Sequence, residues 1–301
     1  MKRREFLAGM AAFGLAGCSA PRAGSMSAGR FLFGACTGAS RDDVELMADI
    51  GYDFFETSVA NAFNPKADDI WWKARRAELA AMPIPLRSCN GFLPGSFRLT
   101  GPGADFEPAL DYAEKALRRA DDLGVSAVVF GSGAARNVPG DMTGSEEQRP
   151  DPEKGAAQYA EFCKRLCERT ADLKTVSVVI EPLRPKESNI VNYVWQGRQI
   201  CEDIDSPRIR LLADIFHMMM GRESASSILE AGPLLKHCHV ASYGSRLFPG
   251  GDPGQTWRFK PYFDALRAIG YTGGISCECR WGEKTDRRRN LETALRTLKA
   301  L

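Results

Sequence analysis

Histidine is scarce in this chain, with three residues among 301, and long apolar runs and paired cysteine motifs are missing. Sites that hold several zinc ions through imidazoles need more histidines than this, so we exclude them. No apolar run reaches the ~20 residues that a helix needs to cross a bilayer. The nine cysteines include no CxxC pair and no zinc-finger spacing, which favours buried free thiols.

The chain also lacks an excess of either charge, with 40 basic and 38 acidic residues. Residues 1–17 carry three of the basic residues and one of the acidic residues, so the remainder is balanced. A neutral body argues against nucleic acid as a partner, because phosphates attract a basic surface. Phosphate-binding glycine motifs are missing too: no GxGxxG follows the first predicted strand, and no glycine loop carries a lysine.

The N-terminus has the pattern of an export signal. Arg3 and Arg4 precede a short apolar stretch, Ala8–Gly17, which is the twin-arginine form, and we predict a signal peptide over residues 1–17. Leu15–Cys18 resembles the lipobox of bacterial lipoproteins, which implies that Cys18 is lipidated; a plain cleaved signal is the alternative. We expect a tether over residues 18–29, a folded domain over 30–301, and a periplasmic protein that meets the membrane only through its lipid anchor.

Eight short apolar runs alternate with amphipathic segments along the rest of the chain. Alternation of this kind predicts parallel strands joined by right-handed helical crossovers. Eight such units suit a single (β/α)8 TIM barrel of the α/β class, for which about 250 residues is typical. An open doubly wound sheet is the alternative. The predicted strands are Phe31–Cys36, Tyr52–Glu56, Pro85–Asn90, Ser126–Gly131, Val176–Glu181, Ile209–Asp214, Lys236–Ala241 and Gly274–Glu278.

Acidic or imidazole side chains stand at or near the ends of the last four predicted strands. In a barrel these ends converge on one mouth, so the four side chains should meet. Three carboxylates and one imidazole form a mostly oxygen site suited to Mn²⁺, with Mg²⁺ or Co²⁺ as alternatives. Without a cation the carboxylates would repel one another. The predicted metal ligands are Glu181, Asp214, His239 and Glu278.

Two further polar residues lie on predicted strands. His237 shares a face of strand seven with His239 but lies one layer deeper, which is typical of a hydrogen-bonded core histidine. Glu56 ends strand two. It is either a further acid at the mouth or a surface or helix-capping acid, and the sequence leaves both open.

Several segments together resemble the xylose isomerase-like superfamily and, within it, sugar 3-epimerases. The resemblance covers about residues 30–300. The segments that carry it are Glu181–Leu183 with Glu187, Asp214–His217, His237–His239, Glu278, Asn90–Gly95, Phe130–Gly133 and Tyr262–Gly273.

The resemblance implies roles for individual residues. Glu181 and Glu278 would bind the metal and also act as the catalytic acid and base. Glu187 and His217 match positions that hold substrate hydroxyls. Arg246, seven residues past His239, approximates an arginine that binds the substrate or supports the metal ligands.

The expected activity is a metal-dependent sugar isomerase or epimerase that abstracts a proton beside a carbonyl through an enediolate. An exported protein meets few sugar phosphates, so we expect a non-phosphorylated sugar as the substrate. A lyase that cleaves 3-keto-glycosides by β-elimination shares the same first step and is one alternative. A non-catalytic sugar-binding lipoprotein is another. A homo-oligomer is compatible with such barrels, but the sequence does not give its size.

Overall fold

Eight parallel strands close into one barrel in chain order, in a computed structural model that describes residues 30–140 and 149–301. The predicted (β/α)8 barrel is therefore confirmed. Strand two differs most from its predicted range, because it begins and ends two residues later. The strands are β1 Leu32–Cys36, β2 Phe54–Ser58, β3 Leu86–Asn90, β4 Ala127–Phe130, β5 Ser177–Ile180, β6 Ile209–Asp214, β7 Leu235–Val240 and β8 Gly274–Cys277.

Long helices surround the barrel and contact their neighbours in the outer layer. For example, helix α4 (Glu107–Asp122) contacts α6 (Pro152–Arg169), and α11 (Arg287–Lys299) contacts α1 (Arg41–Ile50). Three short helices that the sequence did not predict, α2, α5 and α8, begin within three residues of a strand end. The helices are α1 Arg41–Ile50, α2 Val59–Ala62, α3 Asp69–Ala80, α4 Glu107–Asp122, α5 Gly133–Arg136, α6 Pro152–Arg169, α7 Val194–Ile204, α8 Ile215–Met220, α9 Ser226–Ala231, α10 Lys260–Ala268 and α11 Arg287–Lys299.

Local signals explain where these helices begin and end. The Ser40 side chain accepts from the backbone N–H of Asp43 and caps α1, which ends at Gly51 with φ of 96°. Asp68 caps α3 in the same way. Helix α4 is held by its apolar face, which buries Ala109, Leu110, Ala113, Ala116, Leu117 and Ala120 at helical spacing.

The barrel interior is packed differently on its two sides. Ala127, Val129, Val179 and Leu212 form a separate buried apolar cluster between β4, β5 and β6. On the opposite side the Phe54 ring fills the interior, where it meets two strands that carry glycine. A Cβ on Gly34 would overlap this ring, and a Cβ on Gly274 would lie 2.8 Å from it. These glycines therefore make room for Phe54.

Predictions that concern the N-terminus fall outside the described residues. Residues 1–29, which include Cys18, carry the predicted signal peptide and tether. Among the described residues, no helix combines the length and apolar character needed to cross a membrane. The eight cysteines in this part of the chain are all free, as predicted; six are buried, and Cys36 and Cys279 are half-buried.

The packing around Phe54 gives a test of the fold. We expect Gly34→Ala to lower the free energy of unfolding by about 1–3 kcal/mol, because overpacking a filled interior forces side chains from their rotamers. Gly103→Ala is the matched control, since a Cβ there would have no atom of residues 30–140 or 149–301 within 4 Å. Urea denaturation measures both. The interpretation is wrong if the two variants are equally stable, or if Phe54→Leu does not restore part of the stability lost by Gly34→Ala.

Candidate metal centre

The four predicted ligands lie together at the mouth of the barrel. Each offers one ligand atom, and these atoms all lie within 4.8 Å of one another. His239 Nδ1 is 3.4 Å from a Glu181 oxygen and 3.8 Å from a Glu278 oxygen. Glu181, Asp214 and His239 are buried, whereas the Glu278 side chain is 23% exposed. The group is thus open to solvent on the Glu278 side.

Contacts with the neighbouring backbone place two of these acids, Asp214 and Glu181. Asp214 ends β6 and caps α8, because its Oδ1 accepts from the backbone N–H groups of Phe216 and His217 at 2.7 and 3.2 Å. Its Oδ2 remains available to the group. Glu181 follows β5, and its Oε2 occupies the space that a Cβ at residue 131 would fill, so Gly131 is needed for this carboxylate to fit.

Glu56 lies behind His239 rather than at the open mouth. Its Oε1 is 2.9 Å from His239 Nε2 and its Oε2 is 2.8 Å from His237 Nε2, and the Ser88 hydroxyl donates to Oε2 at 2.7 Å. A buried carboxylate that holds the far nitrogen of a ligand histidine fixes the ring and its tautomer. His237 is a hydrogen-bonded core histidine, as the sequence indicated, and Glu56 is a positioning carboxylate.

His217 points a donor into the same space. Its Nδ1 accepts from the backbone N–H of Arg184 at 3.3 Å, so in the neutral ring the proton sits on Nε2. Nε2 is buried and has no hydrogen-bond partner among the described residues; it lies 3.6 Å from Asp214 Oδ2 and 3.8 Å from Glu187 Oε2. A buried donor of this kind is costly unless something binds to it. A ligand hydroxyl or carbonyl oxygen at this position would accept a hydrogen bond from Nε2–H.

Arg246 joins two predicted site residues. Its guanidinium contacts Glu278 Oε2 at 2.6 Å and Glu187 Oε1 at 3.2 Å, and it stacks on Phe216 with 4.8 Å from Cζ to the ring centroid. The backbone at Arg246 has φ of 54°, and its carbonyl accepts from the Arg280 N–H at 2.7 Å. The loop after β7 is thereby tied to the segment after β8, which brings Arg246 to Glu278.

The charges of the buried groups depend on one another. Burial alone would raise the pKa of Glu56, but His239 and His237 outweigh it and hold this pKa well below its usual range. Burial would lower the pKa of His239, but the Glu56 and Glu278 carboxylates hold it well above its usual value. The direction of this shift favours the imidazolium form of His239 over the neutral ring, and its charge would partly neutralise the surrounding acids.

The residues fit a divalent cation. Three carboxylates and one imidazole supply hard oxygen ligands and one nitrogen, and the cation would supply the positive charge that the acids need. A second group, Cys36, Glu56 and His239, has ligand spacing too. Its Glu56 and His239 already bond to each other, and burial raises the pKa of the Cys36 thiol well above its usual value, so this group does not offer a thiolate.

Two polar residues at this site, Asn90 and Arg184, were given no role from the sequence. Asn90 ends β3, and its Nδ2 donates to Glu278 Oε1 at 3.0 Å. Arg184 donates to Glu187 Oε1 at 2.7 Å, and its Cζ lies 4.9 Å from the centroid of the Phe216 ring, the same ring on which Arg246 stacks. The position of Asn90 at the end of a strand was a usable signal. Arg184 lies in a loop and gave none.

Comparison with known proteins identifies relatives of this chain. The family model described as "Xylose isomerase-like TIM barrel" matches residues 44–301. A "Probable ketose 3-epimerase" from Synechocystis sp. is 25% identical over 197 residues, which are 65% of this chain and 64% of that protein. A "D-psicose 3-epimerase" from Agrobacterium fabrum is 30% identical over 107 residues, 34% of this chain and 35% of that protein. The matches thus span less than two thirds of these relatives.

Solved structures share the fold over most of their length. D-Psicose 3-epimerase from Clostridium cellulolyticum H10, crystallised with D-tagatose, gives a TM-score of 0.75 at 19% identity and covers 90% of this chain and 99% of that chain. A 3-keto-D-glucoside 4-epimerase from E. coli gives 0.72 at 18% identity, covering 90% of this chain and all of that chain. At these identities the likeness concerns the fold alone.

Proton release gives a test of the charge arrangement. Because His239 must lose its proton to coordinate a cation, we expect Mn²⁺ binding at pH 7 to release about one proton per ion, and affinity to rise with pH. Calorimetric titration in two buffers of different ionisation enthalpy measures the release. Asp214→Asn, the control, should bind more weakly but still release the proton. Binding without proton release would mean that His239 is neutral in the metal-free protein.

Proposed function

Because this chain belongs to the xylose isomerase-like TIM barrel family, we propose that it is a divalent-metal-dependent sugar epimerase. The proposed reaction removes a proton from the carbon beside a carbonyl and returns it on the other face, through an enediolate. The ketose 3-epimerases among its relatives support this reaction class. The proposed substrate is a non-phosphorylated ketose, since the sequence has no glycine loop with a lysine for phosphate.

One observation carries the proposal. The Glu181 and Glu278 carboxylates lie 3.4 and 3.8 Å from His239 Nδ1, but their environments differ. An acid and base pair needs such a difference. Glu181 is enclosed against Gly131, whereas Glu278 is half-buried and held by Asn90 and Arg246. In the proposed mechanism one of the two acids removes the proton and the other returns it.

The surrounding side chains would bind and orient the sugar. The Nε2–H of His217 would donate to a sugar oxygen, and Glu187, 30% exposed, would accept from a sugar hydroxyl. Arg246 would position Glu187 and Glu278 relative to each other through its two contacts. A divalent cation, Mn²⁺ in this proposal, held by Glu181, Asp214, His239 and Glu278 would polarise the carbonyl and the adjacent hydroxyl.

The two catalytic acids give a direct test. We expect Glu278→Gln to lower kcat by about 10²–10⁴-fold, because general acid–base catalysis contributes that much. The measurement is deuterium incorporation at the epimerised carbon when the metal-loaded enzyme and a panel of free ketoses are mixed in D₂O. Glu202→Gln on the exposed face of α7 is the matched control and should keep full activity.

Three results would contradict the proposal. Unaltered exchange in Glu278→Gln would remove this residue from the chemistry. Deuterium exchange that continues after a chelator has removed divalent ions would show that the reaction does not need a metal. Release of a second sugar from a keto-glycoside, with no epimer formed, would indicate elimination rather than epimerisation.

We also propose that the protein is exported by the twin-arginine route and anchored to the periplasmic side of a membrane through lipidated Cys18. The pattern of residues 1–18 supports this location. Replacing Arg3 and Arg4 with lysine should leave the protein in the cytoplasm with its signal attached. Cys18→Ala should move it from the membrane to the soluble fraction, whereas Cys36→Ala should not. Soluble wild-type protein that still carries residues 1–17 would contradict the proposal.

A further inference from the structure

A second cleft of about 600 Å³ opens at the mouth beside the candidate metal centre, in the range of about 300–1,000 Å³ typical of small-molecule sites. Its lining comes from the carboxyl ends of β1, β2 and β3 and from the helices next to them. The lining residues are Cys36, Thr37, Gly38, Asp43, Thr57, Ser58, Asn61, Asn90 and Arg287. None of the four predicted metal ligands is among them, so the cleft is additional to the reacting site.

The cleft and the metal centre share a wall. Asn90 Nδ2 lies 3.0 Å from Glu278 Oε1 and 3.5 Å from Cys36 Sγ, and both Asn90 and Cys36 line the cleft. Only the Asn90 side chain therefore separates Glu278 from the cleft at this point. A larger molecule whose reacting carbon lies at Glu278 could extend past Asn90 into the cleft. The cleft is placed to hold the remainder of a larger substrate.

The lining suits a neutral molecule with many hydroxyl groups. It offers the Ser58 hydroxyl and the amide groups of Asn61 and Asn90, which can both donate and accept. The Thr57 hydroxyl is buried and accepts from Asn61 Nδ2 at 3.4 Å, so it orients the Asn61 amide. Its aliphatic surface is provided by methyl and methylene groups rather than by aromatic rings. This is the hydrogen-bonding surface that a second sugar ring needs.

The two charged groups of the lining neutralise each other. Arg287 Nε donates to Asp43 Oδ1 at 3.0 Å, and the Thr37 hydroxyl donates to Asp43 Oδ2 at 3.0 Å. Because the arginine charge is paired, the lining residues that the structure describes offer no free cation that would favour a phosphate group. Burial keeps the Cys36 thiol protonated, so it is a weak donor in the wall and not a nucleophile.

We propose that this cleft is a subsite for a second, uncharged sugar ring, so that the preferred substrate is a glycosylated ketose or keto-glycoside rather than a free monosaccharide. The inference rests on the proposed epimerase function for its catalytic arm. It extends that function by assigning Ser58, Asn61 and the paired Asp43 and Arg287 to substrate recognition, with Thr57 positioning Asn61.

The catalytic arm of the test compares substrates with one ring and with two. We expect kcat/KM for deuterium exchange to be at least tenfold higher for one of the glucosyl-fructose isomers linked through O1, O4, O5 or O6 than for fructose. Asn61→Trp, at an exposed position in α2, would fill the cleft and should bring the disaccharide-to-fructose ratio of kcat/KM close to one. Glu202→Gln should leave that ratio unchanged.

The binding arm does not depend on turnover. Saturation-transfer NMR should detect methyl α-glucoside bound to the Glu278→Gln protein, and this signal should be lost when Asn61→Trp is added. Exchange with fructose but no advantage for any disaccharide, together with no glucoside binding, would overturn the subsite. Glucoside binding with no exchange on any sugar would retain the subsite and overturn the epimerase function instead.

Discussion

The buried carboxylate of Glu56, placed between two imidazoles, is the interaction on which the mouth of the barrel depends. An ionised carboxylate with no exposed surface is costly unless it is paired and hydrogen-bonded. His237, His239 and Ser88 together meet this requirement. Because Glu56 takes the Nε2 side of His239, the Nδ1 side faces Glu181 and Glu278. The orientation of the only imidazole among the four predicted ligands thus follows from a side chain one layer deeper.

The sequence predicted the convergence of the ligand set because it depends on a simple rule. Apolar runs that stop at Glu181, Asp214 and Glu278 can be located without a structure, and parallel strands in a barrel bring their carboxyl ends together. The role of Glu56 could not be decided in this way. The pairing of β2 with β3 shifts register between Phe55 and Glu56, and the depth of a side chain in the barrel depends on such shifts.

Individual contacts between residues far apart in the chain were also beyond the sequence. Asn90 contacts Glu278 across 188 positions of the chain, and Arg246 contacts Glu278 from a backbone that adopts a positive φ. Neither fact leaves a periodic pattern. Helix α8 is six residues long, too short for helical periodicity to be recognised, yet it carries His217 into the site.

The mouth of the barrel is divided into two halves with different electrostatic character. On the side of β5 to β8 almost every charged group is engaged with another, as Glu187 and Glu278 are with Arg246. Such groups position one another, and in the proposed mechanism they would bring a cation and a reacting carbon together. On the side of β1 to β3 the lining is neutral overall and rich in hydroxyl and amide groups. Hydrogen-bonding groups that a bound ligand covers discriminate strongly against a ligand that leaves them unpaired, so a second ring bound in the proposed subsite would let this neutral half determine which sugar the charged half converts.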